Sequence, residues 1–318
     1  MVHHPSLEDR FRGSLLGLAV GDALGGLFEG QSADHIQKRF PTVRSLIDNP
    51  PAETLHYTDD TQMTIGVAET LVFHGEIREE ALCRAFVNNY VPSRGYGWGA
   101  RRVLEAMEEG EDYRAVALSH FPGGSFGNGD AMRVAPVGVF FHGNPNLLWE
   151  QARLSALPTH THPLGIEGAQ LLAWAISLAI QTSLDKPGFL QSLLSRCQSE
   201  AFRAKIKQAH YISRADDFVL LGNGIQALES VITAVTCFLV ARDSYETAIG
   251  QAIMLGGDTD TIAAMTGALA GAYLGIQAIP SHLLDRLEDE VDFKGRSYID
   301  GLAKDLFGAF QRKNQRRN

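Results

Sequence analysis

The stretch Leu255–Gly275, LGGDTDTIAAMTGALAGAYLG, constrains the chain most. It sets two carboxylates and two hydroxyls, Asp258, Thr259, Asp260 and Thr261, between a glycine pair and an uncharged apolar run. Gly256 and Gly257 can take backbone shapes closed to other residues, so they suit a tight turn. The alanine-rich run from Ile262 onward reads as helix, which puts the acids at its N-terminus. There the free N–H groups and the helix dipole favour negative charge. Capping a helix needs one Asp or Thr. Four oxygen-bearing side chains in a row exceed that need. The uncharged run Ile262–Ile279 is also long enough to raise the question of a membrane span. Its Ala, Gly and Thr contribute little to insertion, so it is expected as a buried core helix.

A second cluster of the same kind, Tyr57-Thr58-Asp59-Asp60-Thr61, precedes a helical run over Gln62–Phe73. Two acid-plus-threonine clusters at two helix starts can face each other across one cleft. Adjacent carboxylates repel, and burying them together is costly unless something neutralises them. A divalent cation does so, and an all-oxygen donor set suits magnesium or manganese rather than zinc. Four aspartates can serve one cation or two.

With 318 residues the chain can bury a real core in one large domain or two ordinary ones. No Pro- or Ser-rich linker divides it, so 1–318 reads as a single domain with frayed ends at about 1–6 and 311–318. The net charge of −9 argues against a general nucleic-acid-binding surface. Cys83, Cys197 and Cys237 are odd in number, with no CxxC pair, which suits a reducing compartment and not a disulfide framework or zinc site. The segment MVHHPSLEDRF has no basic-then-apolar leader. These features are read as a soluble, cytoplasmic protein without membrane association, and a monomer.

Ser6 and Asp9 look like a helix start, and the run that follows carries Gly13, Gly17, Gly21 and Gly25 at a strict spacing of four. Those glycines fall on nearly one face, where another helix can approach closely. Asp22 interrupts this helix and Glu29 follows it in LGGLFEG; either taken alone reads as a surface acid. Glu29, between glycines, can also swing into a cleft. Residues 31–56 read as a long loop with a short helix. Gly95, Gly97 and Gly99 alternate ahead of another helix, a pattern that can present N–H groups to an anion. The run Phe121-Pro-Gly-Gly-Ser-Phe-Gly-Asn-Gly-Asp130 exposes amides, the Ser125 hydroxyl and two aromatics, as a nucleotide cradle or as a tight turn with packed rings. His160 and His162 in LPTHTHPLG read as loop residues that contact a ligand or cap the next helix. The segment Arg286–Asp292 reads as a charged, solvated face. Strand-like alternation is absent and helical periods dominate, so the fold class is all-α. No GxSxG elbow or Ser-His-Asp order points to acyl transfer.

Taken together, GSLLGLAVGDALGGLFEG, YTDDTQM, RGYGWG, GSFGNGDAMRVAPVG, THTHPLG, LGNGI and LGGDTDTIAAMTGALAGAYLG resemble the ADP-ribosylglycohydrolase family from Arg12 to about Pro280. The resemblance implies a compact orthogonal helical bundle whose cleft holds two divalent cations, Mg2+ or Mn2+. It implies Thr58, Asp59 and Asp60 at one metal, Asp258 and Thr261 at the other, and Asp260 bridging them. Glu29 matches the acid of a mobile flap linked to the second metal. Gly123, Gly124, Ser125, Phe126, Gly127, Asn128 and Gly129 match the loop around the diphosphate and adenosine, with Phe126 at a stacking position. Phe121 matches a second aromatic across a one-residue gap. Gly97, Gly99, His160 and Ile225 match further ligand contacts. The implied reaction releases ADP-ribose from a modified protein or small molecule, with Asp59, Asp60 or Glu29 handling protons.

Overall fold

A computed structural model describes residues 5–181, 185–290 and 294–315. The chain is about 70% helical with 17 α-helices and no strands among these residues, so the all-α expectation holds.

The first helix, Leu7–Gly25, starts where the sequence indicated. Ser6 and Asp9 form a reciprocal capping box, the Ser6 hydroxyl accepting from the Asp9 N–H. Its glycine stripe lies directly against the Thr259–Leu274 helix. A Cβ on Gly17 would stand 2.5 Å from the carbonyl oxygen of Gly267, and Gly13, Gly21 and Gly25 meet the backbones of Gly271, Ala263 and Thr259 in the same way. The partner sequence runs backwards along the stripe, so the two helices are antiparallel and touch backbone to backbone. Glycine weakens a helix interior by about 1 kcal/mol per site. Here its missing side chain is what permits the approach. One side-chain bond fixes the register, Thr259 donating to the Gly25 carbonyl at 2.8 Å, and the buried Tyr245 hydroxyl, from the Tyr245–Met254 helix, donates to the Gly17 carbonyl at 2.7 Å.

This pairing sets the end of the first helix, with Asp22, beside the start of the Thr259–Leu274 helix, with its acids. The Asp59–His74 helix packs against both, and its first turn completes the cluster. The Ala227–Val240 and Tyr245–Met254 helices close the other side of the Thr259–Leu274 helix.

Several expectations are corrected. Residues 31–56 hold two short helices, Ala33–Arg39 and Val43–Asp48. The apolar run expected at Ile262–Ile279 is a helix only from Thr259 to Leu274, buried along most of its length. Among the described residues, the helix long and apolar enough to cross a membrane is instead Pro163–Gln181, and it is 78% buried inside the fold. The C-terminal helix, Arg296–Gln315, is held by Phe307 and Phe310 around the Phe11 ring and by the Lys313 bond to the Gly75 carbonyl, while residues 1–4 and 316–318, expected to fray, lie outside the described residues. Glu288, in the segment read as solvated, is buried and paired with Arg94.

Candidate active site

Two helix starts and one turn meet at the bottom of a cleft of about 310 Å³. The Thr259–Leu274 helix begins after Asp258, whose side chain makes no capping bond, so its carboxylate is free for other use. Thr58 caps the Asp59–His74 helix, accepting from the Asp60 N–H. Glu29 reaches the same place from the turn after the first helix. Glu29, Asp258 and Asp260 each bring a carboxylate oxygen to within 4.8 Å of the others. The Thr261 hydroxyl donates to Asp60 Oδ1 at 3.5 Å, which joins the two clusters directly.

The Glu29 turn is anchored on both sides. Phe28 is fully buried against the edge of Phe40. Gly30 N–H donates to the Gly257 carbonyl and Gly257 N–H to the Gln31 carbonyl, each at 2.9 Å. Gly30, Gly256 and Gly257 all have φ near +70°, which other residues rarely adopt. Asn223 braces this double turn, its side chain donating to the carbonyls of Leu255 and Gly256.

Asp22 was read as a surface acid and is completely buried. Its Oδ1 accepts the Thr58 hydroxyl at 2.7 Å and its Oδ2 the Thr61 hydroxyl at 2.5 Å, and it also takes the N–H groups of both threonines. It therefore fixes the first turn of the Asp59–His74 helix. The Thr58 hydroxyl, its proton committed to Asp22, turns lone pairs elsewhere.

Burial dominates the acid–base behaviour of the cluster. It pushes Asp22 and Asp260 up to about 7 against the opposition of their hydrogen bonds, with neighbouring carboxylates adding to the rise. Asp59 and Asp60 are raised well above the usual range, first by burial and then by the charge of Asp22. Asp258 is raised by burial, and Glu29 by burial and by Asp260. Asp60 Oδ2 is buried with no hydrogen-bond partner among the described residues. A buried carboxylate oxygen without a donor, among acids that repel it, calls for a cation.

Higher in the cleft the wall is made by Gly97, Gly99, Phe121, Ser125, Gly127, Asn128, Gly129, His160 and Ile225. The Phe121 ring occupies the space left by the missing side chain of Gly99. Gly123, Gly124 and Phe126 do not line the wall. Gly124 sits against the backbone of His162, and Phe126 meets the His162 ring edge-on at 5.3 Å. Thr58 lies behind the acids, in a neighbouring depression with Arg94 and Glu288. Asn128 turns its amide inward, donating to Asp258 Oδ2 and to the Ser230 hydroxyl, so it ties the glycine loop to the acid cluster. His162 accepts from the Leu164 N–H at the next helix start, which makes it a cap.

Sequence reasoning missed Asp22, Trp98, Arg133 and Thr159. Trp98, 66% exposed, stands at the rim, and Arg133 and Thr159 lie beneath His160. The signal for Asp22 was present: it is the one acid in the glycine-striped portion of a buried helix.

A family model described as ADP-ribosylglycohydrolase matches residues 3–316. The ADP-ribosylhydrolase ARH3 of Xenopus tropicalis is 36% identical over 312 residues, covering 85% of this chain and 89% of that protein. ARH3 of Homo sapiens is 33% identical, with 95% and 94% covered. The ADP-ribosyl-[dinitrogen reductase] glycohydrolase of Rhodospirillum rubrum is 27% identical, with 94% and 97% covered. A solved chain described as an ADP-ribosylglycohydrolase-related protein complex superposes with a TM-score of 0.73 at 28% identity, covering 96% of this chain and 99% of that one.

Proposed function

The chain belongs to the ADP-ribosylglycohydrolase family, and on that premise we propose that it is a magnesium- or manganese-dependent hydrolase freeing ADP-ribose from a modified acceptor. The bond cleaved is the one at the anomeric carbon of the distal ribose. The observation that carries this reading is the meeting of Glu29, Asp258 and Asp260 with Asp60 at the foot of a cleft walled by the glycine loop and His160.

The residues fit a two-cation centre. The donors are all oxygens, the carboxylates repel one another in a buried setting, and Asp60 Oδ2 has no other partner. Thr58, Asp59 and Asp60 would hold one ion, Glu29, Asp258 and Thr261 the other, with Asp260 shared. Bound there, the cations supply positive charge that binds ribose hydroxyls and acidifies a water. The chain's own part is positional. Asp59, Asp60 or Glu29 accepts the proton of the attacking water and a proton is returned to the acceptor atom as its bond to the anomeric carbon breaks, while the remaining carboxylates stabilise the oxocarbenium-like charge there. The glycine wall admits the diphosphate, and Phe121 and Ile225 offer apolar contact towards the base. The partner is ADP-ribose on a protein side chain or a small molecule, met in the cytoplasm by a monomeric enzyme.

A steady-state assay on ADP-ribosylated peptides, with Mg2+ or Mn2+ and then with EDTA, tests the proposal. Metal-stimulated release of intact ADP-ribose is expected. Tight ADP-ribose binding without turnover on serine-linked, arginine-linked and polymeric substrates would identify an idle binding protein instead. AMP and ribose phosphate as products would identify a diphosphate hydrolase.

A further inference from the structure

Arg133 is completely buried beneath the cleft, where the buried Asp130 carboxylate opposes its charge from beyond direct salt-bridge contact. Its Nη2 donates to the Thr159 hydroxyl at 2.8 Å and to the Ser155 carbonyl at 2.9 Å, and its Nη1 to the Gly129 carbonyl at 3.2 Å. The guanidinium lies over the Phe86 ring, 4.7 Å from its centroid. A guanidinium can only donate. It therefore occupies a lone pair of Thr159 Oγ1 and leaves the hydroxyl proton to find another acceptor. That acceptor is His160 Nδ1, 2.7 Å away, and the buried hydroxyl has no other among the described residues. Were Nδ1 protonated, Oγ1 would face two donors and its own proton would be buried without an acceptor, which is unfavourable for a buried hydroxyl.

Nδ1 therefore accepts, and the ring proton sits on Nε2. That atom has no hydrogen-bond partner among the described residues. It faces the glycine loop: a Cβ on Gly127 or Gly129 would stand 3.5 or 3.4 Å from it. Burial, helped by the Arg133 charge, holds His160 down to about 3, so the ring stays uncharged at neutral pH. The loop's own amides are partly engaged elsewhere. Gly124 N–H donates to the Phe121 carbonyl, Gly127 N–H to the Ser125 hydroxyl and Asn128 N–H to the Ile225 carbonyl. An anion lying along this wall needs a further donor.

We infer that Arg133 and Thr159 are positioning residues that present His160 as a neutral Nε2–H donor to a diphosphate lying along Gly127–Gly129. The ligand half of this inference rests on the ADP-ribose reading; the tautomer half does not.

Nitrogen NMR of histidine-labelled protein, with His160 assigned by the spectrum of His160→Gln, reads the tautomer directly. The parent is expected to show a single Nε2–H form. Thr159→Val should lose that single form and bind ADP-ribose roughly tenfold more weakly by calorimetry. Thr159→Ser should restore both. An Nδ1–H form in the parent overturns the inference, as does a folded Thr159→Val with parental tautomer and affinity. Should Thr159→Val fail to fold, the parent tautomer and the Thr159→Ser affinity decide. A parent with the Nε2–H signal that binds no ADP-ribose overturns the ligand half together with the functional reading, while the Arg133–Thr159 relay stands.

Discussion

The Thr58 hydroxyl donates to Asp22 Oδ1 at 2.7 Å, linking the first helix to the cap of another helix, 36 residues later in the chain. This bond orients a proposed metal ligand through a residue outside the proposed ligand set. Groups behind a ligand commonly change metal affinity by 10–100-fold when altered. Asp22→Asn keeps the shape, but it can accept through only one oxygen and removes a negative charge.

We expect Asp22→Asn to weaken Mg2+ binding by roughly tenfold or more in calorimetric titrations. The metal-free melting temperature at pH 8 should hold or rise, because one of several repelling buried charges is gone. A carboxylate that merely braces the helix would give the opposite pair of results: a lower melting temperature and parental metal affinity.

The same cluster makes metal-free stability depend on pH in an unusual direction. Asp22 and Asp260 rise from 3.8 to about 7 on folding, so between those values the folded chain binds more protons than the unfolded one. Their contribution is fully present below about pH 4 and is lost as pH rises through about 7. In EDTA, urea midpoints should therefore fall from pH 5.5 to pH 8. Saturating Mg2+ should flatten or reverse the slope. A metal-free midpoint that climbs over this range would show that the acids are not held together as described.

Much of this was legible in the sequence. The four-residue glycine spacing maps one to one onto backbone contacts with Gly271, Gly267, Ala263 and Thr259, because helix periodicity is local and small residues have one packing use. The acid-threonine clusters were legible because they exceed what capping needs, and Asp258 indeed makes no capping bond. What escaped depends on pairs far apart in the chain. Glu288 is buried because Arg94, 194 residues away, and the Tyr57 N–H meet its carboxylate, and the Asp22 carboxylate is satisfied by Thr58 and Thr61. Arg133 and Thr159 gave no pattern at all, since neither is unusual until His160 is seen above them.

Glu29 carries a more local test. Its carboxylate is raised by burial and by Asp260, and its turn is held by Phe28 and by the two bonds to Gly257. We expect Glu29→Gln to bind ADP-ribose within a few-fold of the parent and to turn over at least ~10²-fold more slowly, the usual cost of removing a positioned acid–base group. Near-parental turnover in folded Glu29→Gln would mean that the residue only solvates the helix end, worth under about 1 kcal/mol.

The central claim is that two acid clusters form one centre for two cations. Titrating Mn2+ into metal-stripped protein, read by electron paramagnetic resonance alongside ADP-ribose release, tests it most directly. The account predicts two ions per chain, a spin-coupled signal replacing the isolated-ion spectrum as the second binds, and activity that follows the second. In Asp260→Ala the coupled signal should vanish, with a larger loss than in Asp59→Ala. One uncoupled ion per chain at full activity, or full activity with none, would contradict it.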